Sequence, residues 1–159
     1  MNNLKVYHIL MSDYLLDSSV RNETYSLSLK GYDVSVHCLK SLQLPHDEVV
    51  QLTTSADVGF CLIEKISLSD YFSLPNKLFE YAFAGTPVLA SDFPDIRTII
   101  EEYDLGDVCA LSLSAISEKI KHFEDSNPSR ISSDLFAISS EAQALKLQNI
   151  YNSKLLYKT

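Results

Sequence analysis

Two periods alternate along the chain. Residues 4–10, 34–39, 57–63, 86–90 and 108–111 are short apolar runs of the kind buried in pleated strands, and several stretches between them repeat their apolar positions at helical spacing. The first run is bounded by Ser12-Asp13. Asp17-Ser18-Ser19 then offers a helix N-cap, Val20, Thr24 and Leu27 recur on one face, and Gly31 stands where a C′ glycine ends a helix. Residues 34–39 follow as a second strand. A right-handed crossover lays these two strands side by side and parallel, so residues 1–40 form one strand-helix-strand unit.

After a join at residues 42–45, Pro45-His46-Asp47-Glu48 opens an acid-rich helix that runs to about Ser55. Residues 57–63 are almost continuously apolar, as in a strand covered on both faces, and Gly59 permits close packing there. Residues 64–73 have no clean period and read as the loop leaving that strand's carboxyl end, with Tyr71 and Phe72 in it. Pro75 suits a first helical turn. Leu74, Leu78 and Ala82 share a face, and Gly85 with Pro87 stops the helix before the strand at 86–90. Residues 94–103 repeat the helical pattern through Ile96, Ile99 and Ile100. Gly106 closes that unit, and 108–111 is the fifth strand. Beyond Ser112 the apolar positions Ile116, Ile120 and Phe123 are helical, Asn127-Pro128 interrupts, and a tail continues through Leu145, Ile150 and Leu155. The pattern predicts one α/β domain spanning residues 1–159. It is a Rossmann-like or flavodoxin-like doubly wound parallel sheet of about five strands, in spatial order 2-1-3-4-5, with a helical C-terminal tail.

Composition narrows the function classes. A length of 159 residues suits a single core, and 46% hydrophobic with 21% charged residues is the balance of a soluble globular protein. No apolar run approaches the ~20 residues of a transmembrane helix. The run at residues 6–11 is interrupted by His8 and lacks the apolar core of a signal peptide, so a cytoplasmic location is expected. A net charge of -8 opposes sequence-independent binding to nucleic acid. Cys38, Cys61 and Cys109 lie in or at the ends of strand-like runs without metal-ligand spacing, and are expected to be buried free thiols. His8, His37 and His122 fall on strand or helix patterns and read as structural or exposed, and His46 as exposed.

The chemistry concentrates in Ser73-Leu74-Pro75-Asn76-Lys77-Leu78-Phe79-Glu80-Tyr81. A helix start beside a strand's carboxyl end is where open α/β folds bind anions, because unpaired amides and the helix dipole point there. By spacing alone, Lys77 and Glu80 read as a solvated ion pair worth about a few tenths of a kcal/mol. Asp17 and Arg21 near the end of the first strand read as an N-cap and a surface charge, or as groups facing an acceptor across a cleft.

This block resembles the donor-sugar segment of family 4 glycosyltransferases of the GT-B fold. Asp17 to Glu23 with Leu27 and Gly31-Tyr32-Asp33-Val34 resembles the first βαβ of that fold's N-terminal half. Residues 45–157, with Ser55-Ala56-Asp57-Val58-Gly59, the SLPNKLFEY block and the tail from Ala144 to Tyr151, resemble the latter part of its C-terminal half. The segments that the family carries between these pieces are lacking between Lys40 and Pro45. They include its N-domain catalytic His region and the Gly-Arg…Lys-Gly region on the donor phosphates, so no catalytic residue is assigned.

The resemblance implies a retaining hexosyltransferase type, with a nucleotide-diphosphate sugar as donor and a polysaccharide or other glycan as acceptor. Glu80 matches the carboxylate that accepts hydrogen bonds from the donor ribose hydroxyls. The family's other motif glutamate falls on Phe72 here, and Asp70 is the nearest acid. Ser73, Leu74 and Asn76 would offer backbone amides to a phosphate, with Lys77 supplying charge to the leaving diphosphate. Neither cofactor nor metal is expected, since helix amides and basic side chains serve that role in the fold and no Asp-x-Asp occurs. The alternative is a non-catalytic nucleotide-binding or scaffold domain. A phospho-receiver domain is disfavoured because the third strand ends Leu62-Ile63-Glu64 without an Asp. The apolar cleft face left by the absent half predicts a homo-oligomer or a partner chain.

Overall fold

A computed structural model of the chain describes residues 5–10, 25, 28–29, 31, 33–38, 51, 53–126, 130–131 and 134–155. Its strands are β1 (Lys5–Leu10), β2 (Asp33–Cys38), β3 (Val58–Cys61), β4 (Val88–Ser91) and β5 (Gly106–Cys109). The helices are α1 (Leu68–Tyr71), α2 (Asn76–Phe83), α3 (Pro94–Tyr103), α4 (Leu113–Ser126) and α5 (Ser140–Leu155), with a 3-10 turn at Phe136–Ile138. All pairings are parallel. The backbone ladders run in the order β2-β1-β3-β4-β5, with Val6 opposite Val58, Gly59 opposite Val88 and Val88 opposite Gly106. The architecture is α/β with a parallel sheet and helices, compatible with a Rossmann-like fold.

The described core is built on β3, β4 and β5, whose side chains alternate between two faces as the pleat requires. Cys61, Val88, Ala90 and Val108 enter one cluster with Leu78, Tyr81 and Ala82 of α2 and Ile96 and Ile100 of α3. Val58, Phe60, Leu89 and Cys109 enter the other with Ile116, Ile120 and Phe123 of α4. Helices therefore cover both faces, which is why β3 and β4 are buried at every position. Cys61 and Cys109 are buried thiols outside any disulfide, on opposite faces of the sheet. The side chain of Cys38 lies outside the described residues.

Several element boundaries depart from the sequence expectation, each for a local reason. The stretch read as a loop at 64–73 contains α1, set by a capping box. Ser67 Oγ accepts from the Asp70 amide at 3.1 Å, and Asp70 Oδ2 accepts from the Ser67 amide at 2.9 Å. Pro75 is the N-cap of α2 in extended conformation (φ -74°, ψ 142°) rather than its first helical residue. β4 starts at Val88 instead of 86, because the Thr86 amide is donated to Tyr81 O at the end of α2 and Pro87 has no N–H. α3 ends at Asp104, which takes the left-handed conformation (φ 52°), two residues before the Gly106 expected to close the unit. Asp tolerates this region through its short polar side chain. Gly106 instead opens β5, so that strand lies at Gly106–Cys109 and not at 108–111.

In the first crossover, Tyr25 and residues 28–29 are helical, and the Gly31 amide bonds to Ser28 O at 3.0 Å. Asp17, Arg21 and most of the expected helix at 45–55 lie outside the described residues, as does the break at Asn127-Pro128. After α4 the chain returns across the end of α2, where the Ile131 amide donates to Gly85 O at 3.1 Å and Ile131 and Leu135 pack on the α2–α3 cluster. Thr86 Oγ1 donates to Thr53 O at 2.7 Å and accepts from Arg130 Nη1 at 3.3 Å. α5 begins docked through Ala142 and continues with Leu145, Leu147, Ile150 and Tyr151 exposed. No helix among the described residues is long and apolar enough to cross a membrane.

Candidate functional site

In a parallel sheet every strand delivers its carboxyl end to the same edge, so the exits of β3, β4 and β5 converge there. Ser91, the last residue of β4, fixes the first of these exits. Its buried Oγ accepts from the Ile63 amide at 2.6 Å and donates to Ile63 O at 2.9 Å, replacing the ladder just where β3 ends. Sequence reasoning missed this residue, since a serine at the end of an apolar run carries no distinguishing signal. Ser91→Ala would leave a partly buried amide and carbonyl unsatisfied, and a loss of about 1–3 kcal/mol in chemical denaturation is the expected outcome. An unchanged midpoint would show that water replaces the hydroxyl.

Beyond Ile63, residues 64–67 are exposed until Ser67 caps α1. Asp70, the acid nearest position 72, uses Oδ2 to hold the Ser67 amide and hydroxyl, the latter at 2.7 Å. Tyr71 is half-buried between neighbours: its ring lies 5.2 Å from Phe93 and 4.9 Å from Phe72, and Lys65 Nζ sits 3.7 Å over it. Lys65 over Tyr71 is a cation-π contact that the sequence period does not reveal. Phe72 caps α1 and remains 56% exposed. Ser73 is turned inward, donating its amide and hydroxyl to Asp70 O at 3.3 and 2.9 Å. The Ser73 amide is therefore engaged within the protein, which leaves Leu74, Asn76 and Lys77 to present the amides of this turn.

α2 starts next, and its start contrasts with that of α1. Its cap residue supplies no side-chain hydrogen bond and its first turn holds no acid, so the amides of Asn76 and Lys77 and the positive end of the dipole meet no protein carboxylate from that turn. Asn76 is exposed and Lys77 half-buried. Glu80 follows one turn later, half-buried, with Oε2 enclosed by protein. Both charged residues act on Cys61 at the end of β3. Burial pushes the Cys61 thiol up to about 12, Lys77 pulls it back and Glu80 adds to the rise. The thiol is thus protonated near neutral pH, and Lys77 and Glu80 are brought within electrostatic reach of one strand end. Asp17 and Arg21 lie outside the described residues.

The exit of β4 carries an exposed network. Arg97 donates Nε to Asp92 at 2.9 Å and Nη1 to Glu101 at 3.0 Å, and these two carboxylates hold the guanidinium proton more tightly than usual. Among the described residues no three His, Cys, Asp or Glu side chains gather as metal ligands. A cavity of about 230 Å3 opens at the amino ends of β4 and β5, away from the candidate edge, between Pro87, Asp104, Asp107 and His122. Its Asp107 is engaged by the Val108 amide at 2.8 Å and by Lys119. No protein-family model matches the chain, and no curated protein matches it.

Proposed function

We propose that the chain binds the nucleotide-diphosphate part of an activated sugar at the carboxyl edge of its sheet and acts in transferring that sugar to a polysaccharide or other glycan acceptor. The observation that carries this reading is the start of α2: an uncapped helix end without acids, with Lys77 and Glu80 both influencing the end of β3. Amides at Leu74, Asn76 and Lys77 and the Lys77 ammonium offset a diphosphate, so the acidity of the whole chain does not oppose the ligand. Glu80, as an ionised acceptor, suits the two ribose hydroxyls. Charge developing on the diphosphate as the sugar's C–O bond breaks is stabilised by the same amides, without a metal. The sheet is read as the doubly wound, flavodoxin-like form in which the carboxyl edge is the ligand edge, and the setting as the cytoplasm.

A thermal-shift panel of UDP, GDP, ADP, CMP and their common sugar conjugates tests the reading. A ligand present at about 100 times its dissociation constant stabilises by ~2.7 kcal/mol. A shift with one nucleotide that disappears in Glu80→Ala is expected. No shift with any nucleotide would sink the proposal and favour a non-catalytic scaffold domain, in which the motif is retained as fold alone.

A further inference from the structure

We infer that the cavity at the amino ends of β4 and β5 is a second binding site, for a small alkylguanidinium cation, at the opposite edge of the sheet from the donor site proposed above and independent of it. The space of about 230 Å3 corresponds to the share of about eight waters, room for a guanidinium group with a short alkyl chain. Part of its lining is apolar: Leu105 and Phe123, both buried, together with Ile131 and Pro87. Such a wall suits methylene groups and offers nothing to a fully hydrated ion. The polar side chains of the lining are those of Asp104, Asp107, His122 and Ser126.

One negative charge of this lining is left over, and its backbone is fixed. Asp104 is the left-handed C-cap of α3, with its amide returned to Ile100 O. The Leu105 amide also goes to Ile100 O, at 3.0 Å, and Leu105 O accepts from the Val88 amide at 2.8 Å, so the main chain at Asp104 is tied to both α3 and β4. Asp107 is engaged within the protein, Oδ1 by the Val108 amide and Oδ2 by Lys119. Arg130, next to Ile131 in the chain, donates to Thr86 Oγ1. Among the described residues no ion pair offsets the Asp104 carboxylate. Both α3 and α4 end at the cavity, through Asp104 and through Phe123 and Ser126, and neither has a basic residue in its last turn. The negative ends of two helix dipoles therefore add to that carboxylate and favour a single positive charge. The acceptors decide its kind. They are a carboxylate, helix-terminal carbonyls and the Ser126 hydroxyl oxygen, whose proton goes to His122 O at 2.6 Å. A planar fork of five donors meets several such acceptors at once, whereas an ammonium is a compact and strongly hydrated point charge. No three His, Cys, Asp or Glu side chains gather among the described residues, so the lining does not favour a metal ion.

Titration of the full chain followed through its amide NMR signals reads affinity and location together, with n-butylguanidinium as the probe and n-butylammonium, butyrate and 1-butanol as comparisons. Saturable shifts at the amides of residues 104–107 and 122–126 are expected with n-butylguanidinium, a weaker response with n-butylammonium, and none with butyrate or butanol. Asp104→Asn removes the charge and keeps a side chain that tolerates the left-handed conformation, and it is expected to weaken the guanidinium by about tenfold. A thermal melt checks that the variant is folded, and the comparison of probes on the unaltered chain decides the question without it. Shifts spread over the acidic surface, or a response that Asp104→Asn leaves unchanged, would reflect only the net charge of -8 and overturn the proposal. Butanol binding as well as the cation would reduce the site to an apolar void, and n-butylammonium binding equally would remove the case for a guanidinium. Either result overturns the assignment, as does the absence of any saturable shift.

Discussion

Gly106→Ala is expected to lower the melting temperature by roughly 10 °C, the combined effect of ~3–4 kcal/mol in a domain of this size. Two costs add. Gly106 has φ 144°, a region essentially reserved for glycine, and forcing alanine into it costs about 1–3 kcal/mol. An added Cβ would also run into the backbone of Val88, with Val88 N only 2.6 Å away and the carbonyl oxygen closer still. Backbone cannot rotate aside as a side chain can, so β4 and β5 must separate where the Leu105 carbonyl accepts from the Val88 amide. Thermal denaturation followed by circular dichroism measures the loss, and hydrogen exchange at Val88 locates it. A melting temperature within a degree or two of the parent would mean that the two strands do not approach as closely as their register implies.

Gly59→Ala has the next largest effect, and its cause is a side chain. A Cβ on Gly59 would lie 2.5 Å from Tyr81 Cγ and 2.6 Å from Cε1, inside the ring. Tyr81 is completely buried in the cluster between the sheet and α2, so the ring has no vacant direction in which to yield. Overpacking of this kind costs about 1–3 kcal/mol, and the upper end is expected. Combining it with Tyr81→Ala provides the decisive measurement. The double variant should be more stable than the sum of the single losses by about 1–3 kcal/mol, because removing the ring removes the collision. Simple additivity would show that the Tyr81 ring is not what an alanine at 59 meets.

The periods along the chain made the helices and the core faces legible: Leu78 and Ala82, Ile96 and Ile100, and Ile116, Ile120 and Phe123 are all buried where helical spacing puts them. Strand limits were less so. Apolar residues flank the ladders at Ile63, Pro87 and Ala110-Leu111, and only hydrogen bonding decides which of them pair. α1 was hidden because a single turn cannot display a period, although Ser67 and Asp70 have the spacing of a capping box. Asp104 was hidden because an Asp carries no stop signal as distinctive as that of a glycine. At the candidate edge, the block from Ser73 to Glu80 could be placed from sequence, but its amide inventory could not. Ser73 proves to be engaged with Asp70, and Asp70 with Ser67, and such contacts depend on turn geometry rather than residue type.

The exits from neighbouring strands are unequal. β4 reaches α3 through Asp92 and Phe93 alone, whereas β3 reaches α2 through residues 62–75, which include a helical turn of their own. The short exit turns through exposed Asp92 and buried Phe93. The long one is pinned at Ile63 by Ser91 and then meets solvent with Ile66, Leu68 and Phe72. Change is therefore unequally tolerated along this edge. Substitutions at the exposed positions between residues 64 and 74 can alter what the edge meets while the layers over β3, β4 and β5 stay as they are.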